Sequence, residues 1–281
     1  MTELFAEVNG IKLCYEIDGQ DDGEPIFLIH GFGVKKEVFI AQIKALSEKF
    51  RVIRVDNRGS GKSDRPNQPY TTDLLAEDLK CLMDYLKIGH AHILGYSLGG
   101  MVAQTFALNY PEKVSKLILI NTTPSFPSNP SGIESYKQGK IARYHSLLED
   151  PVKTFYDNAT PGFTRNFKKI LLAEPKKKIH GIFSAEDLIE MDRIDPTTPQ
   201  DIENSTHLLL NFDVLEKLPN IRNETLIITA THDRTLPRSQ NEIIHENIPN
   251  SKLVVIEKAG HDSVQEKAPE INQAILDFLV N

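Results

Sequence analysis

Cysteine is scarce: the 281 residues hold only Cys14 and Cys81. Two thiols without metal-ligand spacing exclude a disulfide-stapled domain and a cysteine-built metal centre, and they suit a reducing compartment. Long apolar runs are missing, so no membrane span and no membrane partner are expected. The first residues, Met1-Thr2-Glu3-Leu4-Phe5-Ala6-Glu7, carry acids where a secretory leader carries positive charge, so a cytoplasmic location is expected. A basic excess is also missing, with 32 Lys plus Arg against 39 Asp plus Glu and a net charge of -7. Nucleic-acid phosphates would be repelled, so nucleic acid is not an expected partner. No internal repeat occurs. What remains is 40% hydrophobic and 25% charged, a globular composition that excludes collagen-like and disordered chains and allows one large domain with an insertion.

Ile11, Leu13, Tyr15 and Ile17 alternate with Lys12, Cys14, Glu16 and Asp18, the two-residue period of a strand with one buried face, and Gly19 to Gly23 is a turn cluster. The chain then changes to short apolar runs: Ile26-Phe27-Leu28-Ile29, Val52-Ile53-Arg54-Val55, Ile93-Leu94 and Leu117-Ile118-Leu119-Ile120. Such runs read as strands buried on both faces. Helix-length segments 36–48, 72–87 and 98–109 separate them, and strand-helix-strand alternation predicts an α/β fold with a mostly parallel sheet flanked by helices. Strand runs resume at Leu226-Ile227-Ile228 and Leu253-Val254-Val255-Ile256, and Ile271, Ala274, Ile275, Phe278 and Leu279 stripe a last helix. The core is therefore expected in two pieces, 1–121 and 222–281, with 122–221 as an inserted helical cap. The insertion opens on the Pro- and Ser-rich stretch 123–130, and Ser184-Ala185-Glu186-Asp187 ahead of Leu188 reads as a capping box.

The sharpest chemical signal is Gly95-Tyr96-Ser97-Leu98-Gly99-Gly100, directly after the strand His92-Ile93-Leu94 and at the start of a helix. A nucleophile on so tight a turn needs neighbours without bulk two residues before and after it, and Gly95 and Gly99 supply them. A serine hydroxyl needs a base, and the base an orienting acid. Asp233 follows the strand 225–230, and His261 follows the strand that ends at Glu257. Asp262 competes for the acid's role, but a carboxylate adjacent to its histidine rarely points back at that ring, so Asp233 is preferred. Asn121-Thr122-Thr123, after the sixth strand, offers no carboxylate.

The order Ser, Asp, His resembles that of the α/β-hydrolase fold with a cap, and two further motifs strengthen the resemblance. His30-Gly31-Phe32-Gly33 is similar to the family's oxyanion loop, and Asp56-Asn57-Arg58-Gly59-Ser60-Gly61-Lys62-Ser63 to its motif after the fourth strand. The resemblance implies a Ser97, Asp233 and His261 triad, an oxyanion hole from the N–H groups of Phe32 and Leu98, and no cofactor or metal. His30 is then a support of the loop. Gly95 to Met101 followed by Val102-Ala103-Gln104 is most similar to small carboxylesterases and enol-lactonases of the 3-oxoadipate type. Such lactonases commonly place Trp and Arg in the cap, and this chain has no Trp, which points away from a dicarboxylate lactone.

The expected activity is hydrolysis of a small ester or lactone through an acyl-enzyme on Ser97. A carbon-carbon hydrolase, a cofactor-free perhydrolase and a non-catalytic receptor of the same fold are the alternatives. In the insertion, Phe163 and Phe167, with Ile170 and Leu171, are expected to line a substrate pocket, and Arg165 or Lys168 to meet a carboxylate. Gly61-Lys62-Ser63 mimics the end of a P-loop but has Asp56 where the first glycine belongs. His90-Ala91-His92 lacks a further ligand cluster, and Lys176-Lys177-Lys178 reads as a solvated face. The sequence leaves the oligomeric state open.

Overall fold

The computed structural model describes residues 2–126, 130–158 and 162–280. Among them eight strands form one sheet: β1 (Leu4–Val8), β2 (Ile11–Asp18), β3 (Glu24–Ile29), β4 (Phe50–Val55), β5 (Ala91–Tyr96), β6 (Val114–Ile120), β7 (Glu224–Ala230) and β8 (Ser251–Ile256). Their spatial order is β1-β2-β4-β3-β5-β6-β7-β8. β2 runs antiparallel to β1 and β4, and the pairings from β4 through β8 are parallel. Asn9 and Gly10 join β1 to β2 with positive φ of 47° and 74°, the left-handed pair that closes a two-residue hairpin.

Helices cover both faces. On one side lie α2 (Thr72–Tyr85), α3 (Leu98–Asn109) and α9 (Arg238–Asn247), packed with Phe27, Ile29 and Ile93. On the other lie α1 (Ile43–Ser47) and α11 (Ala268–Val280), packed with Ile26, Leu28 and Leu94. The alternation of the β3 residues between the two sets is the strand period seen from inside, and the Ile271, Ile275, Phe278 and Leu279 stripe is buried as its spacing predicts.

Three local expectations differ. Cys14 and Glu16 are buried although the alternation puts them on the wet face. The Cys14 N–H donates to Ser63 Oγ at 2.9 Å, and Glu16 Oε2 pairs with Arg54 at 2.5 Å, so that face of β2 is covered by a loop and an ion pair. The run 253–256 is only partly buried until Ile256, because β8 is the sheet's edge. Segment 36–48 is a 3-10 turn at Lys36–Phe39 followed by the short α1. Its break lets Gln42 Nε2 donate to the Val264 carbonyl at 2.6 Å and the Ala41 carbonyl accept from Asn272 Nδ2 at 2.8 Å.

Between β6 and β7 the described residues form α4 (Pro130–Glu149), α5 (Pro151–Asn158), α6 (Arg165–Ala173), α7 (Ala185–Arg193) and α8 (Pro199–Asn211). α7 begins with the expected capping box of Ser184 and Asp187. Phe155, Phe163, Phe167, Leu171, Phe183 and Leu188 form a separate apolar cluster here. Leu208, Leu209, Phe212, Leu218 and Ile221 instead join the core beneath the sheet. Among the described residues no helix is long and apolar enough to cross a membrane.

Candidate active site

The carboxyl ends of parallel strands at a point where strand order reverses are where α/β folds place ligands. Here β3 and β5 are neighbours although β4 lies between them in the chain, and the loops that follow β3, β5, β7 and β8 meet at this edge. Ser97 stands between β5 and α3 at φ 56° and ψ -121°, a strained conformation for a residue with a Cβ that costs about 1–3 kcal/mol. Its N–H donates to the Ile120 carbonyl at 2.9 Å, and its carbonyl accepts from Gly100 N–H and Thr122 Oγ1, both at 2.8 Å. The flanking glycines are steric necessities. A Cβ at Gly95 would lie 2.2 Å from the Gly99 carbonyl oxygen, and one at Gly99 would lie 2.0 Å from that of Ile29.

Ser97 Oγ lies 2.9 Å from His261 Nε2, and His261 Nδ1 lies 2.7 Å from Asp233 Oδ2. The three residues are nearly closed to solvent, at 9%, 7% and 7% exposure for Ser97, Asp233 and His261. Asp233 Oδ1 accepts the N–H groups of Thr235 and Leu236 at 2.8 and 2.9 Å, which leaves Oδ2 for the imidazole. Asp262 is turned elsewhere and accepts the Tyr96 hydroxyl at 2.6 Å on Oδ1. Asn121 has a use that its lack of charge concealed: its Nδ2 donates to the His261 carbonyl at 2.6 Å and to Ser263 Oγ at 2.8 Å, fixing the backbone from which the imidazole projects.

Leu98 opens α3, where a helix leaves its first N–H groups without intrahelical partners. The loop after β3 lies against Ser97, since a Cβ on Gly31 would be 3.1 Å from Ser97 Cβ. His30 holds that loop. Asn57 N–H donates to His30 Nε2 at 3.0 Å, so Nδ1 carries the proton and donates to the Gly31 carbonyl at 2.9 Å. Burial holds this imidazole below its ordinary pKa, against the pull of Asp56, and keeps it neutral. Asp56 completes the support, accepting from Lys36 N–H at 2.9 Å, Lys36 Nζ at 3.0 Å and Lys62 N–H at 3.1 Å. Gly61 is required because a Cβ would lie 2.2 Å from Asp56 Oδ2. The motif that mimics a P-loop thus braces the loop after β3, and Lys62 Nζ reaches outward to Glu3.

A cavity of about 420 Å³ opens on Ser97 and His261, within the usual range of ligand pockets. Phe32 lines it, as does Phe163 from the loop of the insertion just ahead of α6. Phe167 does not line it. Its ring packs 5.0 Å behind that of Phe163, within the apolar cluster of the insertion. Leu171 is buried in the same cluster, Ile170 is 48% exposed, and Arg165 is exposed, because the wet side of α6 carries both residues. Neither Arg165 nor Lys168 lines the cavity; its cations are Lys35, Lys140 and Arg143. Arg143 is paired with Asp192, and Lys140 Nζ lies 5.2 Å from the Tyr136 ring centre. The signal for this wall was a helical stripe, Ser135, Tyr136, Gly139, Lys140, Arg143, Tyr144 and Leu147, all on α4.

Among the described residues no group of three or more His, Cys, Asp and Glu side chains gathers as metal ligands would. His92 is buried with Nε2 3.1 Å from Glu24 Oε1, whereas His90 is exposed. Lys176, Lys177 and Lys178 pair at the surface with Glu186, Glu174 and Asp187.

The pattern of the alpha/beta hydrolase fold matches residues 24–268. The chain belongs to that family. Its sequence is 27% identical over 270 residues, 95% of each chain, to a Caulobacter sp. (strain K31) protein provisionally named carbamate hydrolase RutD. It is 26% identical over 270 residues to 3-oxoadipate enol-lactonase 2 of Acinetobacter baylyi, covering 94% of this chain and 92% of that one. The enol-lactonase structure from Burkholderia xenovorans LB400 superposes with a TM-score of 0.82 at 26% identity, over 99% of this chain and 100% of the other. Fold and relatives together support a hydrolase of small molecules within the alpha/beta hydrolase family.

Proposed function

We propose that this chain is a serine hydrolase that cleaves a small carboxylic ester or lactone through an acyl-enzyme on Ser97. The observation that carries the reading is the unbroken chain from Ser97 Oγ through His261 to Asp233, at 2.9 and 2.7 Å, with Ser97 and His261 lining the cavity. His261 Nε2 takes the serine proton as Oγ attacks the substrate carbonyl, and Asp233 holds Nδ1–H and stabilises the imidazolium. The negative charge that develops on the carbonyl oxygen meets the N–H groups of Phe32 and Leu98. Collapse expels the alcohol, or opens the lactone, with the proton returned from Nε2. Water activated by His261 then releases the acid. No cofactor takes part in these steps.

The insertion, residues 122–221, is read as a cap that sets which acyl and alcohol groups fit, because α4, α5 and α7 supply most of the wall away from Ser97. An activated phosphonate that labels Ser97 in the wild type, and fails to label a His261→Ala variant, tests the nucleophile. Turnover across a panel of short esters, lactones and carbamates tests the bond. Carbamates cleaved in preference to all esters and lactones would replace the substrate assignment, and a wild-type Ser97 inert to the phosphonate would replace the enzyme with a binding protein.

A further inference from the structure

A second carboxylate lies one residue from His261, and the structure gives it a dedicated partner. Tyr96, the residue before the nucleophile, is buried, and its ring lies 5.3 Å from the His261 ring at 39°. Its hydroxyl donates to Asp262 Oδ1 at 2.6 Å. The other carboxylate oxygen, Oδ2, would lie 1.8 Å from a Cβ on Gly162, and the Asp262 N–H donates to the Gly162 carbonyl at 2.9 Å. Tyr96, His261 and Asp262 all line the cavity. Asp262 is thus tied at its carboxylate by the Tyr96 hydroxyl and at its backbone N–H by the insertion, and its carboxylate is bonded to the tyrosine, not to the imidazole.

We propose that Tyr96 and Asp262 form a positioning pair for His261, in which the tyrosine ring packs against the imidazole and its hydroxyl keeps the Asp262 carboxylate from competing with Asp233. This rests on the triad reading above. An imidazole beside two free carboxylates would be held as imidazolium, and an imidazolium cannot accept the Ser97 proton. The groups that face this pair are Asp233 from the loop after β7, Tyr136 from α4 and Ser97 itself; burial and Asp262 together push the Tyr96 phenol well above its ordinary pKa, so it stays a donor throughout the working range. Glu266, in the short helix α10 (Ser263–Glu266), is spent on the N–H groups of Thr164 and Gly260 at 3.1 and 3.0 Å and does not compete.

The test is an NMR titration of the His261 ring in the wild type, Tyr96→Phe, Asp262→Asn and the double variant, with the pH profile of kcat/KM for a short ester beside it. Tyr96→Phe keeps the ring and frees the carboxylate, so the His261 titration and the acid limb of kcat/KM should both move to higher pH by about half a unit or more, each unit being tenfold in the imidazole's proton affinity. The double variant removes the charge as well and should return the midpoint to that of the wild type. An unmoved His261 midpoint in Tyr96→Phe, with kcat/KM lowered by one factor at every pH, would reduce Tyr96 to a packing residue and overturn the proposal. So would a double variant that stays shifted, because Asp262 would then not be the source. The NMR midpoint reads the pair without turnover, so an inactive wild type would sink the hydrolase assignment and leave this measurement standing.

Discussion

Replacing Ser97 by glycine and by alanine separates the cost of the strained elbow from the loss of the serine hydroxyl. Both variants delete Oγ and its 2.9 Å bond to His261, so that loss is common to the two and cancels in the comparison. Alanine keeps a Cβ at φ 56° and ψ -121°, where such a residue bears about 1–3 kcal/mol of strain. Glycine relieves that strain but gains freedom in the unfolded chain, which takes back about 0.5–1 kcal/mol. The difference favours Ser97→Gly over Ser97→Ala by about 1 kcal/mol, or about 2–4 °C in Tm for a chain of this size class. Ordinary substitution rules run the other way, with alanine the more stable. Differential scanning calorimetry of the two variants side by side measures the gap, and ester turnover should be lost in both by about a millionfold. An alanine variant as stable as the glycine variant, or more so, would refute strain at the elbow.

Asp233→Asn should cost on the order of ten-thousandfold in kcat by favouring the wrong imidazole tautomer; the ranking with Asp262→Asn reversed in steady-state assays would transfer the acid's role to Asp262. Gly95→Ala places a Cβ 2.2 Å from the Gly99 carbonyl oxygen, backbone that cannot step aside, so a loss of about 3 kcal/mol or more is expected in urea unfolding, and a neutral effect would contradict the elbow's packing. Burial lowers the imidazole pKa values of both His30 and His92 from 6.5. The unfolded chain therefore binds protons that the native state refuses, and each group removes about 1.4 kcal/mol per pH unit as pH falls below about 6.5 until its folded pKa is passed. His92→Gln should narrow the difference between urea midpoints at about pH 7.5 and 5.5, and an unchanged difference would remove His92 from the acid response. Lys140→Glu should depress kcat/KM selectively for esters bearing a carboxylate while Arg165→Glu does not, because Lys140 lines the cavity and Arg165 does not; equal effects on neutral and acidic esters would show that its charge does not select.

That Ser97, Asp233 and His261 meet was legible because each lies where local rules are strict. Ser97 sits in a turn that only glycines on either side permit, and Asp233 and His261 each follow an apolar strand run, so their positions are set by chain order alone. The sheet was legible for the same reason, since β3 to β7 are short apolar runs whose burial on both faces leaves little choice of structure. Local pattern carries no information about which side chains a distant loop will cover. Cys14 and Glu16 are buried by Ser63 and Arg54, and Gln42 breaks a helix to reach the Val264 carbonyl. Apolar spacing likewise put Phe167 and Leu171 with Phe163 on one face of the insertion, but whether that face meets a cavity or another helix depends on how α6 is set against its neighbours, and only Phe163 reaches the cavity. The sequence by itself determined the fold class, the order of the elements and the strand ends that carry Ser97, Asp233 and His261, because periodicity and turn sterics act over a few neighbouring residues. Tertiary structure alone decided what surrounds them: the cations of the wall, the hold of Asn121 on the His261 backbone and the diversion of Asp262 to Tyr96, placements of residues far apart in the chain that become neighbours only when the strands assemble into one sheet and the insertion packs over its ends.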